Sequence, residues 1–154
     1  MRPPLLPTLK ARALRLLAAR EHSRAELDRK LSPHAASLEE LVLVLDALAA
    51  KGFIRDDRVL ESVLHQKSAK FGTARVIYEL QRKGLSEELI GQAQEDLQKT
   101  ELRRGIEVWR RKFGSRARTL QEKARQVRFM ATRGFSQEAI RKILSQMDAE
   151  NGPG

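Results

Sequence analysis

The sequence contains no cysteine, which excludes both a disulfide framework and a thiolate metal site. Aromatic residues make up only 5% of its 154 residues, and leucine and alanine dominate the apolar set. That bias favours helices. Proline is confined mainly to RPPLLP at the start and GPG at the end, so little interrupts a helical backbone between them. No apolar run is long. LVLVLDALAA is broken by Asp46 and falls short of the ~20 residues a membrane span needs. The opening MRPPLLP lacks the apolar stretch and small-residue cleavage site of a secretory signal. A soluble, cytoplasmic chain with no membrane contact is expected.

Positive charge is abundant. Thirty Lys and Arg face twenty Asp and Glu, a net of +10. Residues 1–50 carry eight basic and six acidic side chains, residues 51–100 nine and eight, and residues 101–154 thirteen and six. The last segment therefore holds +7 of the excess. Such asymmetry points to an end that faces a polyanion, nucleic acid or an assembly coated with it.

A second pattern is punctuation. RKGLSEELI at 82–90 returns as TRGFSQEAI at 132–140, with a looser version, AKGFIRDDRVL, from Ala50. Glycine can adopt the left-handed backbone that ends one helix, and serine supplies the oxygen that starts the next. The apolar residue between them, Leu85 or Phe135, can tuck under the joint. KFG at 70–72 and again at 112–114 reads as another stop. Ser23 with Glu26 and Ser37 with Glu40 form capping boxes. Behind the second box, Leu38, Leu41, Val42, Leu45 and Leu48 make one stripe that stops at Gly52. Asp56 or Asp57, Thr73 and Ser86 cap the next round. A third opens near Thr100: ELRRGIEVWRRKF stops at Gly114, Ser115 caps a longer helix, Gly134 stops it and Ser136 caps the last.

The reading is all-α: an elongated array of three tandem three-helix, helix-turn-helix-like repeats at 9–54, 55–99 and 100–149, between tails at 1–8 and 150–154. A single irregular bundle is the alternative.

KGFIRDDRVLESVL, KFGTARVIYELQRKGLSEELI and KARQVRFMATRGFSQEAIRKIL together resemble the successive signatures of the RecX family, bacterial regulators of the RecA recombinase. The resemblance covers roughly residues 9–148. It is most specific around Gly72, Ile77, Glu79-Leu80, Lys83-Gly84 and Ile90. Val59, Leu60 and Glu61 stand where the family usually has a phenylalanine and alanine after its acidic pair. The resemblance implies three tandem three-helix repeats in a curved body that lies in the groove of RecA–DNA filaments and suppresses strand exchange and ATP hydrolysis.

Cationic residues suited to a filament contact concentrate in the last repeat. At 100° per residue, Leu102, Ile106, Trp109 and Phe113 share a core stripe, and Arg103, Arg104, Arg110 and Arg111 gather opposite, with Glu107 among them. Glu107 and Arg111 are spaced for an i,i+4 pair. Lys112, Arg116, Arg118 and Arg125 complete the candidate set. From Arg103 to Arg133 there are eleven basic and two acidic residues. A solvated cationic face is the bland alternative. In the next helix, Ala117, Leu120, Ala124, Val127 and Ala131 form a small apolar stripe with Phe129 nearly opposite, among arginines. Phe129 either contacts a base or partner or packs on a neighbouring helix.

Base reading is disfavoured, because SLEELV and SEELIGQAQED place glutamates where a recognition helix would meet phosphates. His22, His34 and His65 match no metal-ligand spacing, and no phosphate loop, dinucleotide fingerprint or nucleophile elbow occurs. The paired acids Asp56-Asp57 and Glu87-Glu88 sit at helix starts, where capping explains them. A non-enzymatic, cofactor-free, monomeric regulator of RecA filaments is expected, touching single- or double-stranded DNA weakly and without sequence preference. Alternatives are a general architectural DNA-binding protein and a helical scaffold for an unrelated protein.

Overall fold

The computed structural model describes residues 6–150; of the expected tails, residues 6–8 precede the first helix, Glu150 ends the last one, and 1–5 and 151–154 lie outside the described residues. Among the described residues there are eight α-helices, one short 3-10 helix and no strand. The helices are α1 (Leu9–Ala19), α2 (Arg24–Leu31), α3 (Leu38–Ala50), α4 (Asp56–Lys67), α5 (Thr73–Arg82), α6 (Glu87–Lys112), α7 (Leu120–Thr132) and α8 (Gln137–Glu150), with the 3-10 helix at Ser32–His34 after α2. None is long and apolar enough to cross a membrane.

Much of the punctuation is where it was expected. Ser23, Ser37, Ser86 and Ser136 each accept a backbone N–H three residues on, from Glu26, Glu40, Leu89 and Ala139. Gly52, Gly84, Gly114 and Gly134 carry φ between 72° and 94°. Ser37 makes only half of its box, because the Glu40 carboxylate takes Ala36 N–H instead.

Several expectations are corrected. A helix does not restart at Thr100: α6 runs unbroken through it for 26 residues. Thr100 Oγ1 bonds back to the Asp96 and Leu97 carbonyls, a within-helix arrangement that leaves no free cap. Thr119, and not Ser115, caps α7. Gly72 lacks a positive φ. The Asp56 carboxylate receives Arg24 N–H at the start of α2, 3.2 Å away, and Asp57 pairs with Arg55. Thr73 donates its N–H to Glu101 Oε1 at 2.9 Å, so a distant carboxylate sits at the start of α5.

The chain forms two compact units. One runs to Ser62 and includes the Arg82–Leu85 turn. Leu9, Ala13, Leu27, Leu31, Leu41, Leu45, Leu48 and Ile54 form its core. The α3 stripe is narrower than expected, with Leu38 70% exposed and Val42 39%. Glu26 is buried, held by Arg20 at 2.7 Å, by Ser23 N–H and by Lys83 at 3.7 Å. Burial alone would raise its pKa, but the Arg20 and Ser23 hydrogen bonds with the Lys83 charge outweigh it, bringing it from 4.5 to about 2. His22, also buried, bonds the Arg20 carbonyl and faces Lys30 Nζ at 3.1 Å. Burial lowers its pKa from 6.5, and the neighbouring Arg20 and Lys30 charges add to that.

Both shifts make acid destabilising. Below 6.5 the unfolded chain takes up a proton that His22 resists in the fold. Between 4.5 and about 2 the unfolded chain protonates while folded Glu26 stays ionised, and its stabilisation is lost by about pH 2. The Glu26 share is about 3 kcal/mol. Denaturant titrations over this range should show the decline, and Glu26→Gln should flatten its acid limb.

The other unit comprises Val63–Gln81 and continues from Ser86. Its core joins α6, α7 and α8 through Trp109, Met130, Phe135, Ile140, Ile143 and Met147. Gly105 allows a close crossing: a Cβ there would lie 2.4 Å from Ile143 Cδ1. The Trp109 indole N–H donates to Gln126 Oε1 at 3.1 Å, and Gln126 donates onward to the Ser115 carbonyl.

Candidate functional site

The α6 core stripe is as expected, with Trp109 buried and Leu102, Ile106 and Phe113 packed beside it. The expected α7 stripe is not. Leu120 is 87% exposed, Ala124 and Ala131 are exposed, and the inward face is Gln126, Val127, Phe129 and Met130. Gln126 turns inward because Trp109 needs an acceptor. Phe129 meets Phe113 edge-on at 5.4 Å, keeping part of its ring accessible.

The candidate cations divide by what holds them. Arg104 is engaged inside the fold. Its guanidinium donates to the carbonyls of Ser68, Phe71 and Leu97 at 2.6–2.8 Å and to the Thr73 and Thr100 hydroxyls. Burial, then the nearby Arg103 charge, lower its pKa, against Glu101, which raises it. Arg110 pairs with Glu150 at 3.0 Å and with Glu107 at 3.5 Å. The sequence spacing had assigned Glu107 to Arg111, which is thereby left free. Among the described residues, Arg103, Arg111, Lys112, Arg116, Arg118 and Arg125 form no ion pair, and all but the half-buried Arg116 are exposed. Arg116 and Arg118 line a cleft with Ser115, Ala117 and Asp148.

The structure adds residues that local spacing could not associate. Gly72 N–H donates to the Arg133 carbonyl at 2.8 Å, joining the turn before α5 to the turn before α8. The approach is so close that a Cβ on Gly72 would lie 2.3 Å from the Gly134 carbonyl carbon. Gly134 itself has φ +94°, and a Cβ there would strike Arg75. These two glycines bring Phe71 beside Arg133. The Phe71 ring then has Arg75 at 4.7 Å, Arg133 at 5.1 Å and Lys67 at 5.5 Å. Arg133 also lies 5.0 Å from the Phe129 ring, which Lys112 approaches at 5.2 Å. Both KFG segments thus reach one cluster. Their repetition, with Lys112 and Phe129 among the candidate residues, was the sequence signal for it.

Beside these rings is a cleft of about 420 Å³ lined by Ala69, Lys70, Val108, Arg111, Lys112, Phe129 and Arg133. Four of its linings are cations and none is a carboxylate. Such a lining attracts phosphate or carboxylate ligands.

Comparison with known proteins identifies the setting. A regulatory protein RecX from Leptothrix cholodnii is 47% identical over 144 residues, covering 94% of this chain and 92% of the relative. The chain belongs to the RecX family. A regulatory protein RecX from Ralstonia nicotianae is 44% identical, covering 92% of this chain and 89% of its own. The family model described as the RecX third three-helix domain matches residues 100–144. Its first helix is therefore the C-terminal part of the continuous α6. The crystal structure of RecX from Lactobacillus salivarius superposes with a TM-score of 0.76 at 18% identity, covering 92% of this chain and 95% of that one. It shares the helical RecX fold. The chain's role is thus that of a RecX regulatory protein.

Proposed function

We propose that this RecX protein binds RecA–DNA nucleoprotein filaments and inhibits strand exchange and ATP hydrolysis, by occupying the filament groove or destabilising the filament. Its setting is the cytoplasm and its form a monomer of three repeats, at 9–54, 55–99 and 100–149. Membership of the RecX family supports RecA as the partner. The observation that supports the reading is the set of cations without an ion pair among the described residues, Arg103, Arg111, Lys112, Arg116, Arg118 and Arg125, two of which, Arg111 and Lys112, line a cleft without carboxylates. Their charge opposes stability by self-repulsion, so a polyanionic partner gives it a use. Arg110 contributes once Glu107 and Glu150 yield it. Arg104 contributes indirectly, by holding α6 to the turn that carries Phe71.

Adding the protein to a preformed RecA filament should slow ATP turnover and change filament length together. A salt titration separates this reading from general DNA binding. Phosphate binding alone weakens by about 0.9 log units per contact per log unit of salt on duplex DNA. The protein should stay on the filament at salt that strips it from bare duplex. Equal loss from both would identify an architectural DNA binder, and unchanged turnover at saturation would refute the inhibitory role.

A further inference from the structure

We infer that the cleft between the two KFG segments is a preorganised phosphodiester site for a single strand, with Lys70, Arg111, Lys112 and Arg133 as its phosphate donors. The inference deepens the function proposed above and rests on it for taking DNA as the source of the phosphates.

Three observations converge. First, charge is collected there from chain segments 63 residues apart, Lys70 and Arg133, with no acid among the lining residues. A merely solvated face would tolerate interspersed carboxylates, as Arg110 does with Glu107 and Glu150. Secondly, two of the cations are positioned before any ligand arrives. Arg133 lies near both Phe71 and Phe129, and Lys112 near Phe129. Ring faces attract cations without neutralising them, so the donors stay available to an anion. That differs from Arg104, whose donors are spent on carbonyls. Thirdly, the junction that builds the cluster tolerates no side chain at Gly72 or Gly134.

A recess of about 420 Å³ has room for a phosphate and its sugar. A flexible single strand can bend into it. The ring faces are occupied by cations, so the rings orient phosphate donors and stack no base, and no base preference is expected.

The test uses the intact protein, fluorescein-labelled oligothymidylate and anisotropy across a salt series, without RecA. Failure here therefore leaves the filament reading standing, so the two failures are distinguishable. Arg111→Ala with Lys112→Ala should weaken binding about tenfold at low salt and lower the salt slope by about 1.4, the share of two single-strand contacts. Lys10→Ala with Arg15→Ala, removing two exposed cations of the other unit that form no ion pair among the described residues, should change affinity less than about twofold. Phe129→Leu removes a ring and no charge; it should weaken binding about threefold with the slope unchanged. Trp109 fluorescence verifies folding of each variant. Equal losses in both double variants would overturn the site in favour of diffuse attraction. An unchanged Phe129→Leu affinity would overturn the preorganisation. Tripolyphosphate competing as well as unlabelled strand, charge for charge, would reassign the site to free polyphosphate. Tighter binding of duplex would overturn the single-strand selection.

Discussion

Arg104→Ala is expected to destabilise the unit containing α6 by about 3–5 kcal/mol. The guanidinium holds three backbone carbonyls, those of Ser68, Phe71 and Leu97. Truncation strands these acceptors, at about 1–3 kcal/mol for each one shielded from water. The side chain is only half-buried, so water will reach some of them, which keeps the total below the full sum. Lysine keeps the charge but has a single nitrogen in place of a planar fork, and Arg104→Lys should recover less than half of the loss. Urea unfolding followed by Trp109 fluorescence reads both variants within the same unit. An alanine variant with an unchanged midpoint would show that these bonds contribute nothing net. The result also separates two meanings of a basic residue, since Arg103, one position away, is exposed and unpaired and should tolerate alanine within about 0.5 kcal/mol.

Gly72→Ala should be nearly as damaging, about 3 kcal/mol, for a steric reason. The added methyl would lie 2.3 Å from the carbonyl carbon of Gly134 and 2.4 Å from its oxygen and from Phe135 N. All three are backbone atoms and cannot rotate aside, so the two turns must separate. Separation breaks the Gly72–Arg133 hydrogen bond and moves Phe71 from Arg133, so oligonucleotide affinity should fall with stability. Gly91→Ala provides the opposite case. Gly91 is exposed inside α6, with nothing within 4 Å of an added Cβ, and alanine there should stabilise by about 0.5–1 kcal/mol. Thermal melts of the two variants should move in opposite directions. Equal shifts would mean that the short approach at Gly72 carries no load.

What was legible in the sequence was local. A serine oxygen bonds an N–H three residues away, and a glycine ends a helix through its own backbone, so Ser23, Ser86, Ser136, Gly84 and Gly134 announce themselves within a few residues. The α6 stripe follows from one helix's period. Errors arose where a local signal had a competing partner. Thr100 resembles a cap, but an uninterrupted run of good helix formers around it lets its hydroxyl bond backward. Glu107 fits Arg111 by spacing, yet Arg110 reaches both Glu107 and Glu150. The small apolar residues of α7 form a stripe on paper, whereas the buried indole N–H of Trp109 requires Gln126 on the inward face. Of the candidate site, the basic surplus was visible. Its division into engaged and free cations was not, because that depends on contacts such as Arg104 to Ser68, thirty-six residues apart. Lys70, Phe71, Arg75 and Arg133 come together only when the two glycine turns meet.

The unbroken course of α6 has an effect on how the chain can be divided. Its 26 residues make a rod about 39 Å long, and the matched third domain begins part-way along it, at residue 100. A cut there would leave each fragment with a severed helix and a bare greasy flank. The matched third domain therefore shares its first rod with the stretch that precedes it, and it cannot be lifted out and transplanted by itself.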